Sequence, residues 1–344
     1  MNITTERLSE IFSQTSDKGI AVIGDLMLDT YISGSANRLS QEAPVPVLHV
    51  KKKEARLGGA ANVMRNLTAL APDCRVYAFG VVGNDQPGSI LVDLLKNSGI
   101  NVDGILQDPT RRTTEKQRVI AGNQQVIRMD FEDTGDVDAA LLQNLSQGIK
   151  DLIRQGRVQA VIFEDYAKGL LQKDMMQEIV DLANEYQVFT SLDPHPGHRM
   201  DVKNLSLMTP NRSEAFGLAG MYCHDAAEIV EQDSALREVA KNVIAAWSPA
   251  YLLITLGPQG MALFSKAEAD SIWAIPTIAK EVFDVSGAGD TVIATYTLCM
   301  VSGANITEAA VIANHAAGIV VGKAGTATTN KQELQNSFLQ DSIE

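Results

Sequence analysis

Short apolar runs alternating with stretches of helix length limit the possible fold more than any other feature of this chain. The runs fall at 20–23, 76–79, 160–163, 188–192 and 251–254, each closed by turn or acidic residues. Most are separated by helix-like segments, such as 86–97, 137–154, 172–186 and 232–246. Strand alternating with helix implies an α/β fold, a central and mostly parallel sheet with helices on both faces. In such sheets ligands gather beyond the carboxyl ends of the strands. The polar residues expected there are Asp25, Asp29, Glu164, Asp165, Asp193 and Thr255.

Two segments read differently. Residues 44–52 alternate apolar and polar side chains, and 114–130 contains another strand-like run. Both are expected as half-exposed antiparallel strands of a small flap over the main sheet. No repeat, low-complexity tract or linker interrupts the 344 residues. The expectation is one domain over 1–335, with lid segments at about 30–52 and 112–130 and a tail at 336–344.

Charge and cysteine usage narrow the function classes. The net charge of −13, from 29 basic and 42 acidic side chains, argues against a general nucleic-acid or anionic-membrane surface. A small anion site needs only a few local donors and stays open. Cys74, Cys223 and Cys299 form neither a metal-ligand nor a disulfide pattern, which favours a reducing compartment. No basic region followed by an apolar stretch opens the chain, and no apolar run reaches membrane-spanning length. A cytoplasmic protein is expected.

Four local patterns carry chemistry. In 284–291, Gly287 and Gly289 can turn successive backbone N–H groups inward around Ala288, an anion nest at a helix start. Asp290 in the first helical turn would stand beside it, where a hydroxyl proton could be taken. An ordinary helix start with a cap-region acid fits equally. Gly58 and Gly59 would let a ligand approach the backbone, with Asn62 serving a sugar hydroxyl, or they form a plain tight turn. Asn211 and Glu214, three apart at a helix start, can organise a hydrated Mg²⁺ or simply make a capping box. The loop from Thr255 through Gly257 to Gly260 suits nucleotide contact or a hairpin turn.

Taken in order, these four patterns resemble the ribokinase-like (PfkB) carbohydrate kinases over nearly the whole chain. The resemblance implies a ribokinase-like fold and phosphoryl transfer from ATP, assisted by Mg²⁺. It assigns Asp290 as catalytic base and Gly287, Ala288 and Gly289 as the anion hole. Asp29, Gly58, Gly59 and Asn62 would bind sugar, and Asn211 with Glu214 would serve Mg²⁺ and phosphate, Glu214 through water. Thr255, Gly257, Gly260 and Asn314 would contact the nucleotide. A monovalent cation near Asp284 and Gly325 is implied on the same ground.

Three further stretches, 38–47, 123–130 and 322–326, are similar to those of kinases acting on D-glycero-β-D-manno-heptose 7-phosphate. The implied product is the 1,7-bisphosphate used in lipopolysaccharide core synthesis. Arg38, Lys116, Arg118 and Arg128 on the flap are then the cations available to the 7-phosphate, and exposed flap strands invite a homodimer. Ser286 and His195 depart from the family pattern, which commonly has Thr and Asn there. His195 and His198 formally complete the H-x-G-H of nucleotidyltransferases, but the tetrad lies inside the kinase motif order, so both are expected as loop residues near the site.

The rivals are a kinase of the same fold acting on another sugar or nucleoside, and a sugar-binding scaffold without turnover. A dinucleotide oxidoreductase lacks its G-x-G-x-x-G, and a P-loop kinase lacks G-x-x-x-x-G-K-[ST].

Overall fold

The alternation at β1 (Gly19–Gly24) shows how the chain is layered. Ile20 and Val22 pack into one apolar cluster, Ala21 and Ile23 into a second, and all four are fully buried. A strand apolar at consecutive positions therefore lies inside a sheet covered on both faces. The computed structural model describes residues 3–279 and 281–341.

In chain order the remaining strands are β2 (Leu26–Leu39), β3 (Pro46–Gly59), β4 (Arg75–Gly83), β5 (Asn101–Asp108), β6 (Thr114–Ala121), β7 (Gln124–Phe131), β8 (Ala160–Glu164), β9 (Phe189–Asp193), β10 (Leu207–Met208), β11 (Tyr251–Thr255), β12 (Met261–Ser265) and β13 (Trp273–Ile275). The large sheet runs β13-β12-β11-β10-β9-β8-β1-β4-β5. It is parallel from β5 to β11, and β12 and β13 add antiparallel.

The helices are α1 (Thr5–Ser13), α2 (Ala60–Leu70), α3 (Gln86–Asn97), α4 (Ala139–Arg154), α5 (Lys173–Glu185), α6 (Arg212–Ala219), α7 (Ser234–Trp247), α8 (Ala288–Val301), α9 (Ile306–Val321) and α10 (Lys331–Asp341). Buried residues of α1, α2, α3, α8, α9 and α10 join Ile20 and Val22 on one face. Those of α4, α5, α6 and α7 cover the other.

The flap is a separate four-stranded sheet in the order β3-β2-β6-β7. It differs from the expectation of purely antiparallel strands, because β2 and β6 pair parallel while β2–β3 and β6–β7 are antiparallel. The segment 114–130 holds two strands joined at Gly122, whose φ of +63° suits a tight hairpin. The expected tail at 336–344 is corrected as well. Helix α10 crosses its start because Leu334 and Phe338, one turn apart, are buried together; residues 342–344 lie outside the described residues. No helix among the described residues is long and apolar enough to cross a membrane.

Candidate active site

The carboxyl ends of β8 and β9 meet the N-terminus of α8, and the Asp290 carboxylate stands at the junction with Glu164 and Asp193. Gly287 is the N-cap of α8, with φ +78°. A Cβ there would lie 2.6 Å from the Asn62 side-chain nitrogen, so both the backbone and the space require glycine. Asp290 follows in the first turn and is buried. Its Oδ2 accepts from Asn62 Nδ2 at 2.7 Å, and its Oδ1 accepts from the Tyr166 hydroxyl at 3.0 Å. Asn62 comes from α2, whose entry is fixed by Gly59 at φ +56° against the Asp25 carbonyl. A second tie binds the same helices: Thr291 Oγ1 donates to Asn66 Oδ1 at 2.9 Å.

Burial raises the Asp290 pKa, and the bonds from Asn62 and Tyr166 offset it only in part. The helix N-terminus favours an ionised carboxylate, yet desolvation outweighs the local donors.

Glu164, Asp193 and Asp290 bring carboxylate oxygens within 4.8 Å of one another. Burial and the neighbouring acids push Glu164 and Asp193 well above the ordinary carboxylate range. Both Glu164 carboxylate oxygens are buried without a hydrogen-bond partner. Crowded, undersolvated acids of this kind suit a divalent cation, and Glu214 stands in the same cavity as Asp193.

That cavity, about 680 Å³, lies on one side of the α8 turn. Its lining contains Asn211, Glu214, Thr255, Gly257, Gly260, Asn314 and the whole 287–290 turn, so the expected nucleotide residues and the anion turn share one space. Met261, Val282, Val285 and Val292 supply apolar wall. Asn211 and Glu214 do form the reciprocal capping box of α6: Asn211 Oδ1 accepts from the Glu214 N–H at 3.0 Å, and Glu214 Oε2 from the Asn211 N–H at 2.7 Å. Capping and cavity lining therefore coexist. Asn314 donates to the Pro276 carbonyl at 2.8 Å.

The flap bounds the other side of Asp290. Registry places Asp29 beside Lys116 and Arg56, and Tyr31 beside Arg118, on one face of that sheet. Asp29 is buried and ion-paired with Arg118. The Lys116 ammonium lies 5.8 Å from the centre of the Tyr166 ring, and its pKa is lowered by burial. Gly58 borders the Asp29 carboxylate, which a Cβ would meet at 2.6 Å. The buried Asn62 Oδ1 has no partner and remains an acceptor for a hydroxyl.

Two expected flap cations stand apart. Arg128 is exposed and bidentate with Asp130, and Arg38 is exposed beside the turn that joins β2 to β3. Asp284 and Gly325 are joined, the Gly325 N–H donating to Asp284 Oδ2 at 2.9 Å. His195 lines the nucleotide-side cavity, and His198 Nδ1 lies 2.9 Å from Asp165 Oδ2. Tyr166 was not singled out from sequence. Its sole signal is position, two residues past the end of a buried strand.

A carboxylate held by Asn62 and Tyr166 at the glycine turn of α8, with a roomy cavity on one side and the Asp29, Lys116 and Arg118 face of the flap sheet on the other, fits a phosphotransferase acting on a small hydroxyl compound. The chain belongs to the pfkB family of carbohydrate kinases, whose family model matches residues 17–333. It is 37% identical over 97% of its length to the bifunctional protein HldE of Geobacter metallireducens, and 42% identical over 92% to that of Helicobacter pylori strain J99. The chain spans 65% of each of those relatives.

Among solved structures it is similar in fold to Arabidopsis thaliana ribokinase complexed with ribose and ATP, at TM-score 0.65 and 19% identity over 93% of this chain and 98% of that one. Escherichia coli phosphofructokinase-2 in complex with potassium matches at TM-score 0.74 and 16% identity, covering 94% of this chain and 99% of that one.

Proposed function

We propose that this chain transfers the γ-phosphoryl group of ATP to the C1 hydroxyl of D-glycero-β-D-manno-heptose 7-phosphate, forming the 1,7-bisphosphate, with Asp290 as general base. The observation that carries the reading is the Asp290 carboxylate, held by Asn62 and Tyr166 at the α8 turn that borders the large cavity. ATP occupies the cavity lined by Asn211, Thr255, Gly257, Gly260 and Asn314. Asp29 and Asn62 hold the sugar against Asp290, which takes the hydroxyl proton as the oxygen attacks in line. The N–H groups of Gly287 and Gly289 receive charge on the moving phosphoryl, whereas the Ala288 N–H is bonded to the Val285 carbonyl at 3.2 Å.

Glu214, Asp193 and Glu164 would hold Mg²⁺, which supplies neutralising charge for the phosphates. A monovalent cation beside Asp284 and Gly325 belongs to the same reading, as do a cytoplasmic setting, where ATP is available, and a homodimer formed through the flap. The similarity of 38–47, 123–130 and 322–326 to heptose 7-phosphate kinases supports the choice of sugar.

The test is an ATP-dependent kinase assay over a panel of sugars and sugar phosphates. Heptose 7-phosphate should give the highest kcat/KM, and preference for another acceptor would reassign the substrate. Asp290→Asn, nearly isosteric, should lower kcat by roughly 10²–10⁴-fold, the range for a lost general base. A folded variant with undiminished turnover would remove Asp290 from that role.

A further inference from the structure

Tyr166 is partly buried, and its hydroxyl is the one phenol directed at the proposed base among the described residues. Three anchors fix the short loop that carries it. The Asp25 carboxylate accepts from the backbone N–H groups of both Tyr166 and Lys168, at 2.9 and 3.1 Å. Asp165 accepts from the Ala167 N–H at 2.9 Å while also bonding His198. Ala167 itself adopts φ +54°, a left-handed conformation that a residue with a Cβ avoids unless its surroundings impose it. A strained residue next to a phenol with a single polar partner indicates that the loop is built to deliver that hydroxyl.

We propose that Tyr166 is a positioning residue for the phosphoryl-transfer step. Its O–H and the Asn62 amide grip different oxygens of Asp290 from different elements. Rotation of the carboxylate about its Cβ–Cγ bond would break both bonds at once. The base is thereby held in one orientation towards the acceptor hydroxyl before the sugar arrives, and small misplacements of a reacting group can cost up to about 10²-fold in rate. This rests on the reading of Asp290 as base.

Tyr166→Phe keeps the ring and its packing and removes only the hydroxyl. The expected result is a kcat lowered about 10- to 100-fold, with KM for ATP and for the sugar phosphate within about 2-fold of wild type. A role in stability alone would lower the unfolding temperature and leave kcat intact. A kcat within about 2-fold of wild type in the folded variant overturns the proposal. Asp290→Asn is assayed in parallel. If it is inactive while Tyr166→Phe is not, positioning alone fails; if Asp290→Asn retains turnover, the base assignment fails first. Should Tyr166→Phe misfold, Asp25→Asn serves, since it weakens the anchor of the loop and leaves the phenol in place. It should lower kcat in the same direction without raising either KM, and an unchanged kcat there also overturns the proposal.

Discussion

Two cations share the Asp29 face of the flap sheet, and their surroundings give them different work. Arg118 is committed to Asp29, whereas Lys116 has no ion-pair partner among the described residues and stands over Tyr166. An acceptor that already carries a phosphate should therefore use Lys116. Lys116→Met is expected to raise KM for the sugar phosphate roughly 10- to 100-fold, the worth of one charge-assisted hydrogen bond. Arg38→Met should leave it near wild type. Equal effects in steady-state kinetics would contradict the distinction. Proton transfer should also show the raised pKa of Asp290. The deprotonated form is the active one, so activity falls as pH drops through that pKa. The acidic limb of the pH–rate profile should then lie above about pH 4, the ordinary carboxylate range, and a limb at or below it would contradict the assignment. Asp290 and its glycines stood out in the sequence because a nest needs small residues at fixed spacing. Tyr166 did not, since what aims it is Asp25, 141 residues away in the chain.

Asp85 joins the flap to the main sheet at the level of elements. It caps α3 by accepting from the Gly88 N–H, and it also accepts from the N–H and hydroxyl of Thr113, the residue before β6. Burial alone would raise its pKa, but these donors prevail and lower it. Asp85→Ala should cost roughly 2–3 kcal/mol, a lost cap plus two further hydrogen bonds, measured by urea unfolding. The contribution of the carboxylate is present above its unfolded pKa and is lost as pH falls through the lower folded value. Elements with a strong pattern were legible in sequence: β1, β4, β8 and β11 are built on apolar runs, β9 is marked by Val188, Phe189 and Leu192 around two small polar residues, and α3 and α5 lie within a residue of their expected spans. β2 was not, because its outer half (Gly34, Ser35, Asn37) carries no apolar alternation and is held by pairing, with β6 as far as Gly34 and with β3 beyond it. β10, two residues long, is shorter than any pattern can signal.

For the whole molecule, the flap sheet has two faces with opposite character. One carries Asp29, Lys116 and Arg118 towards the site. On the other, registry sets Ile32, Val119 and Ile127 side by side across three strands, and Ile127 is 52% exposed. Val126 and Val50, also on the flap, are 51% and 49% exposed. A contiguous apolar row on a thin sheet, flanked by the free edges of β3 and β7, is a surface that calls for a partner. With a net charge of −13 the rest of the molecule repels its own copies, so association should be confined to this patch. A second copy presenting the same row would bury it symmetrically. Sedimentation velocity should then show a dimer at micromolar concentration, and Ile127→Glu should shift it to monomer by placing an unpaired charge in the buried row. Because the opposite face of those strands holds Asp29 and Lys116, loss of the partner should loosen the sugar side first. KM for the acceptor should rise several-fold while KM for ATP, for which the proposed site is the cavity beyond the α8 turn, stays unchanged. A wild-type monomer, or a monomeric variant with both constants intact, would separate the flap's role in catalysis from any role in assembly.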